Sequence, residues 1–153
     1  MSRMKGEEGR LKIVDISEKK ASSRSSIARG EIRLKPTTLD AIRAGKVPKG
    51  DVLTVAKVSA VLAAKKTSEI IPACHNIPIE DIEISFEMRR DRIVVTCQVK
   101  AESKTGVEME ALSGTCIALL TIWDMIKEFE KDQKGQYPST SLQDIRVVEK
   151  VKA

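Results

Sequence analysis

The sequence predicts an α+β fold: a ferredoxin-like antiparallel sheet with helices packed on one face. Three observations carry this prediction. Ile82, Ile84, Phe86 and Met88 alternate with polar residues, and so do Ile93, Val95, Cys97 and Val99. The turn Arg89-Arg90-Asp91-Arg92 joins the two runs, making a hairpin with one covered face. Residues 107–131 are apolar nearly all round in their middle, as in a helix buried on several sides. An alternating run at 31–35 before the hairpin and a final strand at 145–151 complete the order strand, helices, strand, strand, helix, strand, the β-α-β-β-α-β pattern.

Taken in order, residues 1–28 read as a flexible N-terminal arm and 29–153 as a single α+β domain. Ser22-Ser23-Arg24-Ser25-Ser26 has coil composition without periodicity, and the apolar patch at 11–16 suggests a local strand. Glu31-Ile32-Arg33-Leu34-Lys35 alternates as a strand and stops before Pro36. Residues 36–44 form a short helix, with Pro36 early and Gly45 at its end. Asp51 is placed to cap a helix from Val52 to about Lys66. Val52, Val55, Ala56, Ser59, Leu62 and Ala63 share one face of that helix, and its small residues predict close packing. Pro72 and Pro78 make 70–78 an irregular loop. Lys134-Gly135-Gln136 follows the long helix and closes it.

Composition narrows the function. With 153 residues the chain is one domain with a real core, and 41% hydrophobic with 32% charged residues describes a globular protein. No apolar run approaches the roughly 20 residues that span a bilayer, and the N-terminus has no apolar core of a secretory signal. Cysteines 74, 97 and 116 are odd in number and widely spaced, which predicts reduced thiols and a cytoplasmic protein. A single histidine and no CxxC predict no zinc site. The net charge of +5 favours anionic partners. Aromatic residues make up only 3% and are scattered, whereas single-strand binders stack bases on aromatic rings; this favours a phosphorylated small molecule over nucleic acid.

Several residues are candidates for chemistry. Lys49, at a loop–helix junction, would sit beside free N–H groups that suit an anion. His75 lies in a proline-flanked loop that would hold its imidazole, a side-chain type suited to proton transfer, at a fixed place, while Cys74 beside it more often packs than reacts. Glu108 and Glu110 fall in the first turn of the long helix, where the dipole favours acids; two residues apart, they point away from each other. Asp124 and Lys127 share a helix face, so the carboxylate can orient an amine acting as acid or base. Glu110 and Asp124 are 14 residues apart on one helix, or roughly 21 Å. That is too far for one small substrate within one chain, and it predicts separate sites or sites completed across a subunit interface.

Lys49-Gly50-Asp51-Val52, Ile71-Pro72-Ala73-Cys74-His75, Lys104-Thr105-Gly106-Val107-Glu108-Met109-Glu110-Ala111-Leu112 and Thr121-Ile122-Trp123-Asp124-Met125-Ile126-Lys127 together resemble the signatures of the cyclic pyranopterin monophosphate synthases, the molybdenum cofactor biosynthesis protein C family. Val14-Asp15-Ile16-Ser17 also fits, and Asn76 departs from the proline that often follows the histidine. The resemblance implies a lyase that converts 3′,8-cyclo-7,8-dihydro-GTP to cyclic pyranopterin monophosphate and releases pyrophosphate. It implies a hexamer, a trimer of dimers, with sites at subunit interfaces. By resemblance Asp124, Lys127 and Lys49 are catalytic. Ala73, Cys74, His75, Met109 and Glu110 match substrate-contact positions, and Glu108 lies beside them. No redox step is implied, so no organic cofactor is expected. The rival reading, a nucleic-acid-binding module, needs exposed aromatics on the central strands, yet Phe86 falls on the core-facing alternation.

Overall fold

The computed structural model describes residues 9–153. The elements run β1 (Ser22–Arg33), α1 (Pro36–Arg43), α2 (Val52–Lys65), α3 (Thr67–Ile70), β2 (Asp81–Met88), β3 (Arg92–Ser103), α4 (Glu108–Glu130) and β4 (Ser141–Lys152). The strands form one antiparallel sheet in the order β2-β3-β1-β4, the ferredoxin-like arrangement expected from the sequence. The helices pack on one face of the sheet, and the core lies between them. Ile32, Ile93, Val95 and Val99 from the sheet meet Ala56 and Ala60 of α2 and Leu119, Ile122 and Ile126 of α4.

Local chemistry sets the helix ends. Asp51 caps α2 by accepting the Thr54 N–H at 3.0 Å. α1 ends in a Schellman motif: Lys46 N–H bonds to Ala41 O, Gly45 N–H bonds to Ile42 O, and Gly45 takes the left-handed conformation. The face of α2 turned inward differs from the expected one. Val52, Ala56, Ala60, Ala63 and Ala64 are buried, whereas Val55 and Leu62 are exposed. The alanine side is chosen because α4 lies so close: a Cβ on Gly114 of α4 would sit 2.8 Å from Cys97 Sγ and 3.4 Å from the Ala60 carbonyl.

The arm differs from its expected boundary. Residues 22–28, read as coil, are the first half of β1, paired along their length with β3. Their alternation is real but hidden from hydropathy, because the inward positions Arg24, Ser26, Ala28 and Gly30 are polar or small. They must be, since a Cβ on Gly30 would lie 2.8 Å from Leu119 of α4. The patch at 11–16 forms no strand, and Leu11, Ile13 and Val14 are exposed. Residues 1–8 of the expected arm lie outside the described residues.

By length and composition alone α4 is long and apolar enough to cross a membrane. Its burial against the sheet and α2 accounts for that composition as a core helix.

Candidate active site

The candidate residues gather at the two ends of α4. At the C-terminal end, Asp124 and Lys127 are three residues apart, and Lys127 Nζ donates to Asp124 Oδ1 at 3.1 Å. The loop between α1 and α2 brings Lys49 to the same carboxylate. Lys49 Nζ donates to Asp124 Oδ2 at 3.1 Å and to the Asp124 carbonyl at 2.9 Å. Each carboxylate oxygen therefore holds one ammonium. The bonds from Lys49 and then Lys127 keep the Asp124 carboxyl below the usual aspartate range. The cluster is exposed, so these ion pairs contribute little to stability and are free to exchange with a ligand.

At the N-terminal end, the loop after α3 and the first turn of α4 border an open cavity of about 400 Å³. It is lined by Ala73, Cys74, His75, Glu108 and Met109, with Val14, Ile16 and Lys19 from the segment before β1. His75 Nε2 is 2.6 Å from the Val14 carbonyl. Glu108 is bound at 2.5 Å by Lys150 of β4. Burial pushes its carboxyl up, but the Lys150 bond and the nearby Arg24 charge bring it below the usual range. Glu110 lies behind the cavity wall, only 2% exposed, and its Oε2 has no hydrogen-bond partner among the described residues. Burial raises its pKa, opposed by its own backbone N–H and reinforced by Glu108. Cys74 is likewise raised, by burial and then by the Glu110 charge, so its thiol is a poor nucleophile at neutral pH.

The sequence-derived residues thus form two groups, Lys49 with Asp124 and Lys127, and residues 73–75 with 108–110. One chain does not bring the two groups together. Sequence reasoning missed the burial of Arg24 and the reach of Lys150 to Glu108. Arg24, 9% exposed, donates to the Lys104 carbonyl, and among the described residues its Nε has no partner, nor do the buried hydroxyls of Ser22 and Ser26 on the same face of β1. Lys150 was equally hidden. The alternation of β1 was the signal for Arg24, but nothing local marked Lys150 in a strand rich in basic residues.

An α+β sheet with two lysines on one carboxylate at one helix end, and a cavity with histidine, carboxylates and cations at the other, has the arrangement of a small-molecule enzyme. The comparisons make this specific. The family model described as MoaC family matches residues 13–153. The probable cyclic pyranopterin monophosphate synthase of Pyrococcus furiosus is 55% identical over 142 residues, covering 93% of this chain and 91% of that protein. The proteins of the same name from Methanospirillum hungatei and Archaeoglobus fulgidus are 53% and 50% identical over 146 residues, each covering 95% of this chain and 94% of its own. The chain belongs to the MoaC family, the cyclic pyranopterin monophosphate synthases, and is an enzyme of molybdenum cofactor biosynthesis.

Proposed function

We propose that the enzyme takes 3′,8-cyclo-7,8-dihydro-GTP, rearranges its purine into the pyranopterin and closes the cyclic phosphate with loss of pyrophosphate, using Lys49, Asp124 and Lys127 as its catalytic group. The observation that supports this reading most is the shared carboxylate: Asp124 holds two ammonium groups side by side. The cluster carries one net positive charge, suited to the charge that develops on departing pyrophosphate. Ring opening and reclosure need proton transfers, which an amine held by hydrogen bonds can give and take back. Asp124 orients both amines until the substrate phosphates compete for them.

In this reading, the cavity at the other end of α4 binds the substrate through Ala73, Cys74, His75, Met109 and Glu110, with Glu108 at its rim. The buried Glu110 carboxyl would meet a nitrogen-rich ring once the wall in front of it moves aside, and Lys19 in the cavity lining, with Arg24, Lys104 and Lys150 near it, offers charge for the triphosphate. The test is incubation with the cyclised nucleotide, measuring pterin product and pyrophosphate together. Failure to form either defeats the assignment.

The site is completed by a second subunit, and the assembly is a hexamer built as a trimer of dimers. The roughly 21 Å between Glu110 and Asp124 supports this, as do the exposed apolar residues Val55, Val58 and Leu62 on α2 and Leu120 on α4. Mixing Glu110→Ala chains with Asp124→Ala chains regains activity if sites draw on two subunits. No recovery after verified exchange places the site within one chain. The unpaired thiols and nucleotide-derived substrate support a cytoplasmic setting.

A further inference from the structure

Glu130, in the last turn of α4, is fully buried at 0% exposure. A buried carboxylate is costly unless donors occupy its oxygens. Here the Lys35 N–H lies 3.3 and 3.1 Å from the two oxygens, Thr140 donates its hydroxyl to Oε1 at 2.7 Å, and Thr38 donates its hydroxyl to Oε2. Lys35 is the N-cap position of α1, which has no side-chain cap of its own. A side chain from another helix therefore caps α1.

The consequence lies at the far end of α1. Asp124 is six residues before Glu130, about 9 Å along α4. The eight residues of α1 cover about 12 Å. Residues 35–49 thus meet α4 twice, first at Glu130 through Lys35 and Thr38, then at Asp124 through Lys49. Between these points the Schellman turn and the buried Val47 fix the path of the loop. We propose that Glu130 is a positioning residue for the Lys49–Asp124–Lys127 cluster: by clasping the start of α1 to the end of α4, it sets where the following loop delivers Lys49. Without that clasp the start of α1 keeps only the apolar packing of Leu34, Leu39 and Val47, which is less directional than hydrogen bonds, and an exposed ion pair is too weak to restore the exact path of the loop. Its importance for turnover rests on the functional reading above, while the geometric claim is testable without it.

The experiment is a carbon-detected NMR titration of the side-chain carboxyls, run beside steady-state kinetics, on the wild type, Glu130→Gln, Thr38→Val and Val99→Ala. Glu130→Gln puts an amide donor among three donors, and Thr38→Val removes one arm of the clasp. Val99→Ala weakens the core away from the cluster. If Glu130 positions the cluster, Glu130→Gln and Thr38→Val move the Asp124 midpoint up toward the ordinary aspartate value. They also lower kcat about tenfold to a hundredfold with little change in KM. Val99→Ala lowers the melting temperature and leaves the Asp124 midpoint in place. If Glu130→Gln does not fold, Thr38→Val decides alone. A folded clasp variant with an unmoved Asp124 midpoint overturns the proposal and leaves Glu130 a structural prop. Lys127→Ala, assayed in parallel, separates the two claims: normal turnover there defeats the functional reading, while the midpoint still judges Glu130.

Discussion

Lys49 and Asp124, 75 residues apart in sequence, meet at 2.9 Å through the aspartate carbonyl and 3.1 Å through its carboxylate. Two bonds to one residue fix the amine more closely than a lone ion pair, and Lys127 holds the other oxygen. Lys127→Ala is expected to lower kcat by a hundredfold or more, about the size of losing a proton donor or an electrostatic partner, with the fold unchanged by circular dichroism. Lys49→Ala should fall as far. Near-normal product formation by either purified variant removes that lysine from the catalytic group.

Glu110 gives a pH-dependent prediction. Burial raises its folded-state pKa above the unfolded value. Between those two values the folded state holds the extra proton, so stability falls as pH rises through that window. Above the folded pKa the full cost of burying the charge is present. Glu110→Gln removes the titration, so the variant should match the wild type near pH 4 and melt higher at neutral pH. Activity should be lost all the same, because a carboxyl kept at the expense of stability serves the substrate. Melting curves of the two proteins from pH 4 to 8 check this. Parallel curves would mean that Glu110 pays no burial cost.

Gly114 of α4 packs between Cys97 of β3 and the alanines of α2. The Cβ of Gly114→Ala would press on Cys97 Sγ at 2.8 Å and approach the Ala60 carbonyl at 3.4 Å. Higher helix propensity returns up to about 1 kcal/mol, while overpacking a tight core costs about 1–3 kcal/mol. The expected net result is destabilisation. The same pressure bears on the buried Cys97 thiol, whose pKa is pushed up to about 12 by burial. A denaturant midpoint equal to or above the wild type would show that the helices can separate without loss.

The residues that carry this packing explain what the sequence could and could not reveal. The hairpin and α4 were legible because Ile84, Val95 and Ile122 place large apolar side chains at the right period. β1 was half hidden because Ser26, Ala28 and Gly30 are small where α4 comes close, so tight packing removed the hydrophobic signal. The inward face of α2 was misread for a related reason: alanines pack against α4 while Val55 and Leu62 face outward. The pair Asp124–Lys127 is local and could be read from spacing. The approach of Lys49 to it, and of Lys150 to Glu108, depends on loop and strand paths that local sequence does not encode.

The segment before β1 gives the last prediction. The His75 ring meets the Val14 carbonyl at 2.6 Å, and Lys104 Nζ donates to the Ser17 carbonyl at 3.0 Å. Asp15 accepts the Ser17 N–H at 2.9 Å, and that bond, with the nearby Lys104 and His75 charges, keeps its carboxyl below the usual range. Leu11, Ile13 and Val14 are 70%, 52% and 65% exposed, so apolar burial adds little to these few polar ties. Such a strap opens readily, because its ordering entropy is barely offset. It nonetheless lines the cavity with Val14, Ile16 and Lys19. Amides at 10–20 should therefore exchange fast in the free enzyme and slow when a nucleoside triphosphate or the substrate fills the cavity. Those at 22–30, already in β1, should be protected throughout. His75→Ala should speed exchange at 10–20 in the free enzyme and reduce the protection that ligand confers. Exchange at 10–20 that is unchanged at saturating ligand would make the segment a plain tail, and the phosphates would then be held by the side chains of the folded domain alone.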